Sequence, residues 1–118
     1  MLTGSGLIQG TDGAEVIAGS NEADEIYGNG ENDLICGRGS ADIIHGEDGD
    51  DALYGNTNRD RISGDQDGDT LFGNSGNDEI YGKSGNASMD GGSGLDDYCS
   101  GSTGVDMALY CATIIDVP

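Results

Sequence analysis

Eight aspartates, Asp24, Asp33, Asp42, Asp51, Asp60, Asp69, Asp78 and Asp96, recur at intervals of nine residues or twice nine, and they are the side chains best placed to do chemistry. Carboxylates in a fixed phase can move protons or hold cations. A general acid–base reaction needs one pair, so recurrence on this scale argues for ligation. Nothing else in the chain competes. His45 is the single histidine, and no Ser, Cys or carboxylate accompanies it in a triad-like pattern. The glycine-rich stretches lack the lysine and the strand–helix context of a phosphate loop. No catalytic constellation is identified, and the chain does not read as an enzyme.

Each aspartate stands sixth in a nine-residue unit that opens with glycine, at Gly10, Gly19, Gly28, Gly37, Gly46, Gly55, Gly64, Gly73, Gly82 and Gly91. Glu15 and Ala87 replace it in two of these units. The eighth position is a large apolar residue: Ile17, Ile26, Ile35, Ile44, Leu53, Ile62, Leu71, Ile80, Met89 and Tyr98. Within a unit the first six residues carry turn chemistry and the last three centre on a β-favouring side chain. The reading is loop, then very short strand. A period this strict means one supersecondary unit stacked many times.

With 34% hydrophobic and 5% aromatic residues in 118, the chain is one domain whose core is too thin for an ordinary globule. The strict phase still argues against disorder, because a low-complexity linker does not place an aliphatic residue at every ninth position. Twenty-three acidic and four basic residues give a formal charge of −19. Nucleic acid is therefore excluded as a partner, an anionic membrane surface would repel the chain, and cations are the natural ligand. No signal peptide or transmembrane stretch is visible.

The units resemble the repeats-in-toxin (RTX) family, with its consensus Gly-Gly-x-Gly-x-Asp-x-U-x, where U is a large aliphatic residue. The best copies are Gly73-Asn74-Ser75-Gly76-Asn77-Asp78-Glu79-Ile80-Tyr81 and Gly91-Gly92-Ser93-Gly94-Leu95-Asp96. The resemblance implies an all-β, right-handed parallel β-roll (β-solenoid) of about five turns with two nonapeptides per turn. Residues 1–9 would form an N-terminal capping half-turn, residues 10–99 the ten repeats and residues 100–118 a C-terminal cap. The fourth-position glycine is kept at Gly13, Gly49, Gly76, Gly85 and Gly94, with Asn58 and Asp67 next best at positive φ. Glu22, Glu31 and Ser40 suit that turn poorly; Gly30 and Gly39, one residue earlier, can take the bend instead.

Stacking at eighteen residues sorts the acids into two columns. One is Asp24, Asp42, Asp60, Asp78 and Asp96; the other is Glu15, Asp33, Asp51, Asp69 and Ala87. A cation between successive loops can take a carboxylate from each, with loop carbonyls completing the shell. A flexible all-oxygen shell suits Ca²⁺ better than Mg²⁺ or Zn²⁺. Intact Asp pairs give about six full calcium sites, with Glu15 and Asp106 as weaker candidates for one or two more. The expectation is that metal binding and folding are one event.

Cys99 and Cys111 lie in a run, Gly91 to Cys111, that looks like the cysteine-bearing terminal repeat of secreted, non-toxin members of the family. A Cys99–Cys111 disulfide would staple the last turn; the alternative is two reduced small hydrophobes. Calcium sites and a disulfide together imply an extracellular setting. Seventh- and ninth-position side chains face outward, and one sheet then shows an apolar ladder that includes Leu34, Tyr54 and Phe72, with the third cysteine, Cys36, beside it. That ladder stabilises stacked strands, or it docks a protein or glycan partner. Rival readings are thus a recognition or adhesion module for glycan, protein or ice, and an accessory domain of a larger secreted enzyme.

Overall fold

A computed structural model describes residues 1–115, so the last three residues of the expected C-terminal cap lie outside the described residues. Fourteen short strands alternate between two parallel sheets. One sheet holds β1 (Leu2–Thr3), β3 (Val16–Ala18), β5 (Leu34–Arg38), β7 (Ala52–Asn56), β9 (Thr70–Asn74), β11 (Ser88–Asp90) and β13 (Met107–Leu109), in that spatial order. The other holds β2 (Leu7–Gln9), β4 (Glu25–Asn29), β6 (Ile43–Glu47), β8 (Arg61–Asp65), β10 (Glu79–Tyr81), β12 (Tyr98–Ser100) and β14 (Thr113–Ile115). The result is a β-solenoid of about six turns. It exceeds the expected five because residues 2–9 supply a strand to each sheet, and β13 and β14 do the same at the other end. The smallest extent of the chain is 14 Å, in keeping with two sheets packed about 10 Å apart.

The register is eighteen residues over most of the length: Ile17 pairs with Ile35, Ile35 with Leu53 and Leu53 with Leu71. Alternation along a strand sends the eighth-position side chain inward. Ile8, Ile17, Ile26, Ile35, Ile44, Leu53, Ile62, Leu71, Ile80 and Met89 thus form a file of aliphatic groups between the sheets. Among the described residues no second buried layer thickens it. Flanking seventh and ninth residues stay at least partly exposed in most rungs; Tyr54 and Phe72 stack with centroids 4.8 Å apart. Among the described residues no helix is long and apolar enough to cross a membrane.

Near the C-terminus the register slips by one. Ile80 pairs with Cys99, and Met89 with Ala108, each nineteen residues on. The expectation of Tyr98 in the core is therefore corrected: Tyr98 faces outward and Cys99 is fully buried. Cys99 is bonded to Cys111, with Cα atoms 6.0 Å apart. Cys36 is a free, half-buried thiol.

Candidate metal centre

The six-residue loops cross from one sheet to the other, and their last residue carries the acid just before the strand begins. Burial of that acid is nearly complete. Asp33, Asp42, Asp51, Asp60, Asp69 and Asp78 are no more than 2% exposed, which for carboxylates demands a partner. Half of that demand is met from the adjacent rung. Oδ1 of Asp42 accepts from the backbone N–H of Asp24 at 2.8 Å, Oδ1 of Asp60 from Asp42 at 2.8 Å, and Oδ1 of Asp78 from Asp60 at 2.8 Å. In the other column Oδ1 of Asp33, Asp51 and Asp69 accept in turn from Glu15, Asp33 and Asp51, at 2.7–2.9 Å. Each aspartate thus reaches eighteen residues back along the chain without help from an ion.

The other oxygen is the informative one. Oδ2 of Asp33, Asp42, Asp51, Asp60, Asp69, Asp78, Asp97 and Asp106 is buried with no hydrogen-bond partner among the described residues. In all of these but Asp106 it points at the glycine that opens its own unit. A Cβ on Gly37 would stand 2.5 Å from Asp42 Oδ2 and 3.0 Å from the Gly55 carbonyl oxygen of the next rung; on Gly46 it would stand 2.4 Å from Asp51 Oδ2 and 3.0 Å from the Gly64 carbonyl. The opening glycine is therefore a matter of space, and the space is edged by carboxylate and carbonyl oxygen. Positive φ is concentrated instead at the second and fourth positions, as at Asn56 and Asn58. Glu31 and Ser40 adopt φ of 65° and 69° themselves, so Gly30 and Gly39 do not relocate the bend.

Burial pushes the carboxyls up. Asp42, Asp51 and Asp78 rise to about 6, Asp60 to about 7 and Asp69 to about 8, because desolvation outweighs the single amide each one accepts. Such groups need either a proton or a cation on the free oxygen. The donor set fits a hard divalent ion: Ca²⁺ takes six to eight oxygens in a flexible shell. Among the described residues no three His, Cys, Asp or Glu side chains converge on one point. An ion here would therefore draw on carbonyls beside the carboxylates, a poor match for metals that favour nitrogen or sulfur.

One sequence-level assignment changes. Asp96 is exposed, and Asp97 takes its place in the column, 1% exposed and accepting from Asp78 N–H at 2.8 Å. The loop from Gly91 holds one extra residue, and Asn77 Oδ1 draws it outward by accepting from Leu95 and Asp96 N–H at 3.2 and 3.3 Å. Asp106 stands opposite Ala87 and accepts from its N–H at 2.8 Å, so nineteen residues bridge that rung. Asp24 and Glu15 sit in a different environment from the rest. Asp24 accepts from the N–H groups of Gly6 and Ser20 and from the Ser20 hydroxyl. Glu15 is held low by the hydroxyl and N–H of Thr11. The first two loops satisfy their own acids.

Fifth-position side chains also lace the loops together, which the sequence reading missed. Asn32 accepts from Asp50 N–H, Asp50 from Gly68 N–H and Asn86 from Val105 N–H, each at 2.8 Å. Recurrent Asn and Asp at that phase was the available signal.

The model of one family, described as RTX calcium-binding nonapeptide repeat (4 copies), matches the chain at residues 9–44, 37–71, 54–89, 63–98 and 72–108. No curated protein and no solved structure matches it. The matched stretches overlap into one run that spans the loops, the aliphatic file and the aspartate columns. The chain belongs to the family of RTX calcium-binding nonapeptide repeats.

Proposed function

We propose that the two loop edges bind calcium and that binding is what completes folding, the chain serving as a structural, non-catalytic module of an exported protein. The observation that carries this reading is the set of eight buried Oδ2 atoms without a hydrogen-bond partner. Five rung pairs have such an oxygen on both members: Asp33 with Asp51 and Asp51 with Asp69 on one edge, and Asp42 with Asp60, Asp60 with Asp78 and Asp78 with Asp97 on the other. These pairs are the proposed full sites. In the pair of Asp24 with Asp42 only Asp42 offers one, and the rung of Ala87 has no carboxylate of its own. Five divalent ions would take the formal charge from −19 to −9, easing repulsion between stacked acids.

An extracellular setting is supported by the Cys99–Cys111 bond, since disulfides persist in oxidising compartments. Calcium at extracellular levels makes modest affinity per site sufficient, and several coupled sites make folding steep in calcium. Circular dichroism tests the reading directly. The β signal should grow with added Ca²⁺, respond little to Mg²⁺ and vanish with EGTA. A signal that is full before calcium is added and indifferent to EGTA at neutral pH would overturn it.

A further inference from the structure

The outer face of the β2–β14 sheet carries a ring ladder with one rung missing. In the register Tyr27, His45, Ser63, Tyr81, Tyr27 and His45 stack with centroids 4.9 Å apart and planes 4° from parallel. The next ring, Tyr81, lies two strands past His45, about 9.6 Å on by the strand spacing. The ladder position between them is Ser63, which lines a hollow of about 400 Å³ together with Arg61, within the usual range of small-molecule sites.

Charge is distributed unusually around that hollow. Two of the four basic side chains in the whole sequence, Arg61 and Lys83, line it together with the single histidine. Lys83 is engaged by Asp65, Nζ to Oδ1 at 3.0 Å, and the same carboxylate accepts from Ser63 Oγ at 2.8 Å and lies 3.3 Å from His45 Nδ1. Glu25, on the rim, accepts from the Tyr27 hydroxyl. Arg61 has no carboxylate partner among the described residues; its guanidinium sits 5.5 Å from the centroid of the Tyr81 ring. In a chain this acidic, a cation that pairs with no acid beside a gap one ring wide is equipped to meet an anion from outside.

We propose that the hollow binds a small planar ring bearing a carboxylate. The ring takes the missing rung over Ser63, against the face of His45 that Tyr27 does not cover, and the carboxylate pairs with Arg61 through the fork geometry that guanidinium and carboxylate share. Stacking favours a flat ring over a saturated one, because the ladder presents a π face.

Benzoate is the probe, with acetate supplying the charge alone and benzyl alcohol the ring alone. Amide NMR shifts are followed on the folded protein in excess calcium. Benzoate should give saturable shifts around His45, Ser63 and Tyr81, and leave the gap-free Tyr54–Phe72 ladder unmoved. Acetate and benzyl alcohol should bind at least about tenfold more weakly, and Arg61→Gln should lower benzoate affinity by about tenfold, the size of a charge-assisted hydrogen bond. Ser63→Tyr, which completes the ladder, should abolish binding; should that variant not fold, Arg61→Gln decides alone. The proposal is overturned by shifts that never saturate, by equal shifts on both sheets, or by benzoate affinity unchanged in Arg61→Gln or in folded Ser63→Tyr.

Discussion

Replacing Asp51 by asparagine separates the cost of a buried charge from its use. The amide keeps the Oδ1 acceptor for Asp33 N–H, which the carboxylate takes at 2.7 Å, and it removes the ionisation. Asp51 titrates at about 6 in the fold, pushed up by burial and, less, by the charges of Asp33, Asp50 and Asp67. Unfolded, it titrates near 3.8. The folded value is the higher one, so the neutral group's contribution is whole below about pH 4 and is lost as pH rises through about 6. A difference of roughly two units is about 3 kcal/mol. In metal-free protein Asp51→Asn should therefore match wild type near pH 4 and exceed it by about 3 kcal/mol near pH 8. Because metal-free wild type should have lost its β signal at that pH, the gain is read in a dichroism pH series, where the variant should keep its signal to a higher pH than wild type. In excess calcium the order should reverse, because an amide supplies a poorer ligand than a carboxylate oxygen. A metal-free variant that loses its β signal at the same pH as wild type or lower would refute the claim that the Oδ2 charge goes unmet by protein groups.

The same logic extends to both columns: Asp42, Asp51, Asp60, Asp69 and Asp78 all titrate at about 6 to 8, so metal-free chain should gain β signal on acidification toward about pH 4 and lose it as pH rises through about 6, as a pH series of dichroism spectra would report. Asp60→Ala, which touches two rung pairs, should weaken the calcium response far more than Glu15→Ala, whose carboxylate is already bonded by Thr11; calcium titrations of the two variants make the comparison. Gly64→Ala would set a methyl 2.3 Å from Asp69 Oδ2 and should cost about 1–3 kcal/mol, whereas Gly13→Ala meets nothing closer than 3.7 Å and should be nearly silent in the same thermal melts. Cys111→Ser opens the bond to Cys99 and should cost about 2–4 kcal/mol, with hydrogen exchange rising first in β12 to β14.

Oδ1 is a structural acceptor that ties rung to rung, and Oδ2 is what the remaining chemistry must satisfy. This division explains how a file of single aliphatic residues can be the core of a folded chain. The rungs are held laterally by amide–carboxylate bonds and by the fifth-position Asn and Asp, and the charge on Oδ2 is what packing does not neutralise.

What the sequence determined by itself was everything that repeats. Ile17, Ile35, Leu53 and Leu71 in one phase require stacked strands, and acids two positions earlier require loops that bring them together at eighteen-residue intervals. The Cys99–Cys111 pair was legible through the resemblance of the terminal repeat. What breaks the repeat was decided in three dimensions. Asp96 and Asp97 are adjacent carboxylates that no local rule separates; the choice depends on which one reaches Asp78 N–H once Asn77 has drawn the surplus residue outward. Glu31 and Ser40 accept positive φ because the stacked loops over-determine their backbone. Asp24 and Glu15 look like the other acids in sequence, and only the placement of Ser20 and Thr11 shows their oxygens already bonded. Periodicity is a local property of the chain, whereas the end register and the partners of a buried oxygen are set by residues a full turn away.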